Sequence, residues 1–247
     1  MTASGRRFRT TFEMGLREYA RTPVLLGLVL FLPAYFVGIF IHVLPTSSLP
    51  IYVPGSGRMT VQTVEIYGAL LVPLMGALIG GIAGLFVMLS ATDADARLSI
   101  AGVGPVSLLA ARFTLIVVAG LAAVGVSLAV LATAFVPEAI VPFVLASLVL
   151  AVTYGLLGTL AGLLVSRLAG VYLMLIAPML DVFFFQNPMI DDGHWLSTLL
   201  PGHFPTAVAV DAAFTRSVAW DPFGPILAWL GVAGGFAALA YYRALRT

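Results

Sequence analysis

The sequence predicts an all-α membrane protein with six transmembrane helices, and three observations predict it. Of its 247 residues, 61% are hydrophobic and only 9% are charged, whereas an ordinary soluble domain carries about 25% charged residues. The mean hydropathy is +1.08. The apolar residues gather into six runs, parted by stretches rich in proline, glycine and charge. A span needs about 20 mostly apolar residues, so six spans occupy most of the chain and leave no room for a large soluble domain. Residues 1–247 therefore read as a single transmembrane domain.

Residues 1–23 are polar and basic, with Arg6, Arg7, Arg9, Arg17 and Arg21. Within them Phe8, Phe12, Leu16 and Tyr19 recur at three- and four-residue spacing opposite Arg9, Glu13, Arg17 and Arg21, the pattern of an amphipathic helix lying on a membrane surface. The first span follows over 24–44; it is longer than the apolar core of a signal peptide, and no A-x-A cleavage pattern follows it. Residues 45–64 hold Pro45, Pro50, Pro54, Gly55 and Gly57 and read as a loop. The second span covers 65–90. The polar stretch Thr92 to Arg112 contains Asp93, Asp95 and Arg97 and the breaker Gly102-Val103-Gly104-Pro105. It reads either as a short protruding helix with those three charges at its start, where side chains cap orphan amides, or as a solvated loop whose charges keep it out of lipid.

The third span is placed at 113–136, with Pro137-Glu138 as a tight connection to a fourth span at 139–166 that Arg167 closes. A fifth runs over 170–185. Residues 186–222 alternate polar and apolar patches, and a sixth span, 223–242, ends before Arg243 and Arg246. Six spans put both termini on one side. With the termini in the cytoplasm, ten of the twelve arginines lie inside and only Arg58 and Arg216 outside, as the positive-inside rule requires. The expectation is thus a multi-pass protein of the cell's inner (plasma) membrane with both ends cytoplasmic. Trp220, Trp229, Tyr241 and Tyr242 flank the last span as an aromatic belt does.

Composition also excludes chemistry. All twelve basic residues are arginine and lysine is absent, so the chain has neither the lysine of a phosphate-binding P-loop nor one for a Schiff base. Without cysteine there is no disulfide, thiolate metal site or thiol nucleophile. A formal charge of +1, spread along the chain, offers no footprint for nucleic acid.

Four features remain as candidate sites. Gly76, Gly80 and Gly84 recur every fourth residue beside Gly81, leaving one helical face bare for close backbone approach, as packing seam or pathway; Gly155, Gly158 and Gly162 repeat this in the fourth span. Pro33, Pro73 and Pro178 are candidate kinks. Asp181 is the acid best placed within a span, and its position toward the outer end favours a structural polar contact over a proton relay. His194 and His203, with Asp191 and Asp192, form an outer polar group, but nine residues part the histidines and match no compact metal motif. No metal site and no catalytic triad is expected.

Three stretches in this order resemble the permease subunits of the ABC-2 family, the membrane components of ATP-binding-cassette exporters. They are the amphipathic start ending Arg21-Thr22-Pro23, the inner segment ending Pro105-Val106-Ser107 before Arg112, and Leu199-Leu200-Pro201-Gly202-His203-Phe204-Pro205 ahead of the last span. The resemblance implies a dimer of permease subunits, membrane lipid around it, and a cytoplasmic ATPase on its inner face. It assigns the ATPase-coupling interface to Phe8, Phe12, Arg17 and Arg21 of the first helix and to Asp93, Asp95, Arg97 and Leu98 of the loop after span two. Where the family often shows an acid followed by Gly-Thr, this loop reads Asp95-Ala96-Arg97-Leu98-Ser99. It further implies a re-entrant-like external segment before the last span, as short helices over Trp195–Leu200 and Pro205–Thr215. On this reading the chain needs no cofactor of its own, and ATP and magnesium belong to the partner. The competing readings are an ion-coupled secondary transporter, a membrane enzyme modifying lipid, and a non-catalytic scaffold.

Overall fold

The computed structural model describes residues 27–53, 56–100, 105–190, 195–216, 218 and 221–244, with the backbone alone for 90–100, 105 and 244. The apolar runs form helices because a backbone in lipid must satisfy its hydrogen bonds within its own segment. Among the described residues five helices are long and apolar enough to cross a membrane. They are α2 (Thr63–Ile100), α3 (Pro105–Leu131), α4 (Ile140–Leu164), α5 (Arg167–Phe185) and α7 (Phe223–Ala244). A shorter apolar helix, α1 (Gly27–Val43), precedes them, and its expected start at residue 24 lies outside the described residues. Between α5 and α7 come a 3₁₀ turn, Trp195–Leu199, and a short helix, α6 (His203–Phe214).

The molecule is not purely helical. Residues expected to be a loop form an antiparallel hairpin, β1 (Ser48–Val53) on β2 (Gly57–Gln62), in the register Ser48 to Gln62 and Val53 to Gly57. Gly57 takes a positive φ of 78°, a conformation glycine adopts without Cβ strain. Ile51 and Val53 are buried on one face of β1. Pro50 is tolerated because each strand of a two-stranded sheet is an edge strand. A backbone bond from Tyr52 N–H to the Pro188 carbonyl (3.0 Å) ties the hairpin to the segment after α5.

Three boundaries also move. α2 does not stop near residue 90 but continues unbroken to Ile100, so Asp93, Asp95 and Arg97 sit within its final turns rather than at the start of a separate helix, and cannot cap one. At 1.5 Å per residue its 38 residues span about 57 Å, well beyond a hydrocarbon core of about 30 Å. α3 starts at Pro105, a residue suited to a first helical turn, and ends at Leu131 rather than Val136. The connection to α4 therefore spans 132–139, pinned by bonds from the Glu138 and Ala139 amides to the Ala213 and Ala212 carbonyls (3.1 and 2.9 Å). Arg167 opens α5 instead of closing α4, because Ser166 caps the new helix by accepting from Ala169 N–H.

α2 is the axis of the bundle: 94% of its apolar stretch is buried, against 28% for α5 and 17% for α7. It runs parallel to α4, and the glycines of both helices make the seam. A Cβ on Gly80 would collide with the Ala151 carbonyl, one on Gly84 with the Gly155 carbonyl, and one on Gly158 with the Gly81 carbonyl. Further along, a Cβ on Gly162 would lie 2.9 Å from Met88 Cβ. α3 runs antiparallel to both helices, with Gly76 facing Val124 and Gly155 facing Ile116. One end of the bundle carries the hairpin and α6; the other, here the arginine end, carries Arg112, Arg167 and Arg243.

Candidate functional site

At the hairpin end the polar side chains converge on Asp181. Pro178 lacks the amide that an α-helix would use, and two residues later α5 widens into a π-helical turn, Leu180–Phe185, closed by a bond from Gln186 N–H to the Asp181 carbonyl (3.0 Å). Asp181 is 2% exposed. Tyr154 of α4 donates its hydroxyl proton to Oδ2 (2.7 Å), the Gly202 amide donates to the same oxygen (2.7 Å), and Gln186 Nε2 donates to Oδ1 (3.1 Å). Gly202 is the N-cap of α6, so the helix's partial positive end also faces the carboxyl group. A Cβ at position 202 would lie 2.5 Å from Oδ2, which makes glycine a requirement there.

The network continues outward with a definite polarity. Gln186 Nε2 also donates to the Ser197 carbonyl (3.1 Å), so its Oε1 is the acceptor facing His203 Nδ1 (2.8 Å), and Nδ1 carries the hydrogen. Burial pushes the His203 imidazole below its ordinary pKa, against the opposing pull of Asp181. The chain of bonds therefore joins α4, α5, the 3₁₀ turn and the start of α6. A recess of about 260 Å³ lies beside it, bordered by Tyr52, Asn187, Ser197, His203 and Thr206. α6 is almost wholly buried behind this recess, through Pro205, Val208, Ala209, Val210, Ala212 and Ala213.

The arginine end is built differently. A cavity of about 480 Å³ separates α3 from α7 over a floor of α2 and α4, and its walls are carbon apart from Arg112, Thr159 and Tyr241. Arg112 is 8% exposed. Arg167 stands 5.0 Å above the Phe86 ring, a cation–π contact that fixes the start of α5 against α2.

Of the residues singled out in the sequence, the structure brings Asp181 into a hydrogen-bonded centre and places Gly76, Gly80 and Gly84 in contact with α3 and α4, away from the two cavities described above. Asp93, Asp95, Arg97 and Leu98 lie on the part of α2 that runs about 11 residues, or roughly 16 Å, past Leu89. Phe8, Phe12, Arg17 and Arg21 lie outside the described residues, as do Asp191, Asp192 and His194. His203 bonds to an amide side chain, and among the described residues no three potential ligands cluster to hold a metal. Tyr154, Gln186 and Gly202 were not singled out, because they lie 27, 5 and 21 residues from Asp181 and no spacing rule joins them. No known protein-family description and no curated protein matches the chain.

Proposed function

We propose that this chain is the membrane-spanning permease subunit of an ABC-2 type exporter. Two such subunits, six spans each with an N-terminal interfacial helix, form the pathway in the inner membrane with their termini in the cytoplasm. A separate ATPase, holding ATP and magnesium, drives an amphipathic or lipid-like substrate outward. The observation that carries this reading is the short helix His203–Phe214, which follows the 3₁₀ turn Trp195–Leu199 and is buried in the bundle before the last apolar helix. Supporting it, α2 continues about 11 residues past Leu89 at the arginine end, and Asp93, Asp95 and Arg97 belong to that stretch of the helix.

The chain's own residues define how movement would be passed along. Gly80, Gly84 and Gly158 bring the α2 and α4 backbones together, so a push on the α2 extension moves α4 with it rather than being absorbed by side chains. Tyr154 on α4 then transmits that displacement to Asp181, and Asp181 to the Gly202 amide at the start of α6.

A buried acid within a span also favours an ion-coupled transporter. Against this, both oxygens of Asp181 already accept bonds from the protein scaffold. The energy source separates the readings. In inside-out vesicles, uptake of an amphipathic dye is expected to follow added ATP and to survive collapse of the proton gradient by an uncoupler. Uptake that follows the gradient and ignores ATP would overturn the permease reading.

A further inference from the structure

The recess at the hairpin end holds a buried hydroxyl that nothing in the protein satisfies. Thr206 of α6 forms part of its wall and is 1% exposed, yet its Oγ1 has no hydrogen-bond partner. Such a group lowers stability, because burial strips it of water and returns nothing. The hydroxyls of α4 are satisfied locally: Ser147, Thr153 and Thr159 each donate to the carbonyl four residues back, at 2.8, 2.8 and 3.0 Å. Thr206 gives its amide to the Gly202 carbonyl (2.9 Å) but not its hydroxyl. Hydroxyl and methyl share one carbon in threonine, so a χ1 step sets which of them meets a molecule in the recess, with the helix unmoved.

The wall around Thr206 offers donors and acceptors without charge. Asn187 Oδ1 accepts from Met189 N–H (3.0 Å), which leaves the Nδ2 hydrogens to donate. His203 Nδ1 carries the hydrogen that faces Gln186, so Nε2 is left as an acceptor. Tyr52 adds a phenol, and Phe185 and Val210 add carbon surface. Among the described residues that border the recess none is an acid or an arginine, so an ionised ligand would be desolvated with no opposite charge to meet it. A hydroxyl group both donates and accepts, and a neutral molecule bearing several of them matches this set, with its C–H faces on the carbon wall. Size points the same way: about 260 Å³ falls below the roughly 300–1,000 Å³ of pockets for drug-sized ligands. Tyr52 and Ile190 on the border are 52% and 57% exposed, so the recess is reached from outside the bundle.

We propose that this recess binds a neutral polyhydroxylated group the size of one sugar ring, with one hydroxyl paired to Thr206 Oγ1 and others to Asn187 Nδ2 and His203 Nε2. The same chemistry belongs to a free saccharide and to the headgroup of a glycolipid in the surrounding bilayer. The inference goes beyond the transport reading and does not rest on it, since it needs only the recess and its unpaired hydroxyl.

The full chain in phosphatidylcholine nanodiscs tests it with two probes. Methyl glucoside in solution is followed by saturation-transfer NMR, and glucosyl diacylglycerol in the disc by its retention over the parent diacylglycerol in native mass spectrometry. Wild type is expected to bind at least one; the free sugar binding identifies a saccharide site, and the lipid binding alone identifies a headgroup site. Thr206→Val keeps the shape and removes the hydroxyl. It should melt at or above the wild-type temperature, because no partner is orphaned, and weaken whichever probe binds about fivefold, the effect of one neutral hydrogen bond. Ala207→Leu fills the recess from the neighbouring position and should abolish binding of that probe while the chain stays folded. Wild type that binds neither probe would overturn the proposal, as would a folded Thr206→Val or Ala207→Leu variant that binds as wild type does. So would a lowered melting temperature in Thr206→Val, which would reveal a partner for the hydroxyl within the protein.

Discussion

The two ends of the bundle are closed and opened by opposite means. At the hairpin end a single buried carboxylate accepts three hydrogen bonds from α4, from the end of α5 and from the start of α6, and a β-hairpin leans on the same segment. At the arginine end the α2–α4 seam is as tight as backbone contact allows, yet α3 and α7 stand apart over a carbon-lined slot. In a bundle surrounded by lipid there is no hydrophobic drive to close such a gap, so closure depends on small-residue contact and polar bonds. The hairpin end has both, whereas at the arginine end α3 and α7 enclose a slot and meet at Leu108 and Tyr241.

The largest effect should come from breaking the seam. Gly84→Leu places a branched side chain against the Gly155 carbonyl and is expected to cost about 3 kcal/mol or more, read as loss of monodisperse protein and a lowered Tm. Gly235→Ala, where a Cβ meets nothing within 4 Å, should leave Tm unchanged. Equal melting of the two variants would break the contrast between the tight and the open parts of the arginine end.

Next comes the closed end. Asp181→Asn keeps the volume but turns an acceptor toward two donors into an amide. It should cost about 2 kcal/mol and speed proteolysis in the segment after α5. Gly202→Ala should act in the same direction, because its Cβ meets the carboxyl group at 2.5 Å.

A smaller effect follows from His203, which lies outside the spans. Burial lowers its pKa in the fold, so the unfolded chain takes up the proton first as pH falls below about 6.5. Stability is then full above that value and declines as pH falls through it toward the folded pKa. Tm should drop between pH 7.5 and 5.5, and His203→Gln should flatten the drop. The smallest effect belongs to the exposed pair of Arg216 Nε and Glu138 Oε2 (2.9 Å): Glu138→Gln is expected to leave Tm unchanged.

The long helices were legible because apolar runs of span length have few other uses. Their ends were less so, since the polar residues after Leu89 continue a helix that already has its own hydrogen-bond ladder, as far as Ile100 among the described residues. The hairpin was hidden by Pro50, Pro54 and Gly57, which signal a turn whether or not strands flank it; the alternation of Leu49, Ile51 and Val53 was the readable clue. The glycine rows announced a bare helix face but not which helix would meet it. Asp181 stood out as an acid among apolar residues, whereas Tyr154 and Gly202 became its partners only through the packing of α4 and the return of α6.

On the proposed reading, the arginine end docks a separate ATPase through the continuation of α2 past Leu89. The most direct measurement is ATP hydrolysis in the tagged chain purified from its own membranes in mild detergent, with and without charge reversal at Asp93, Asp95 and Arg97. An ATP-binding-cassette ATPase and its vanadate-sensitive activity should co-elute with the wild-type chain, and the reversed variant should insert normally but lose both. A wild-type chain that elutes without ATPase activity, or a reversed variant that keeps it, would contradict the claim.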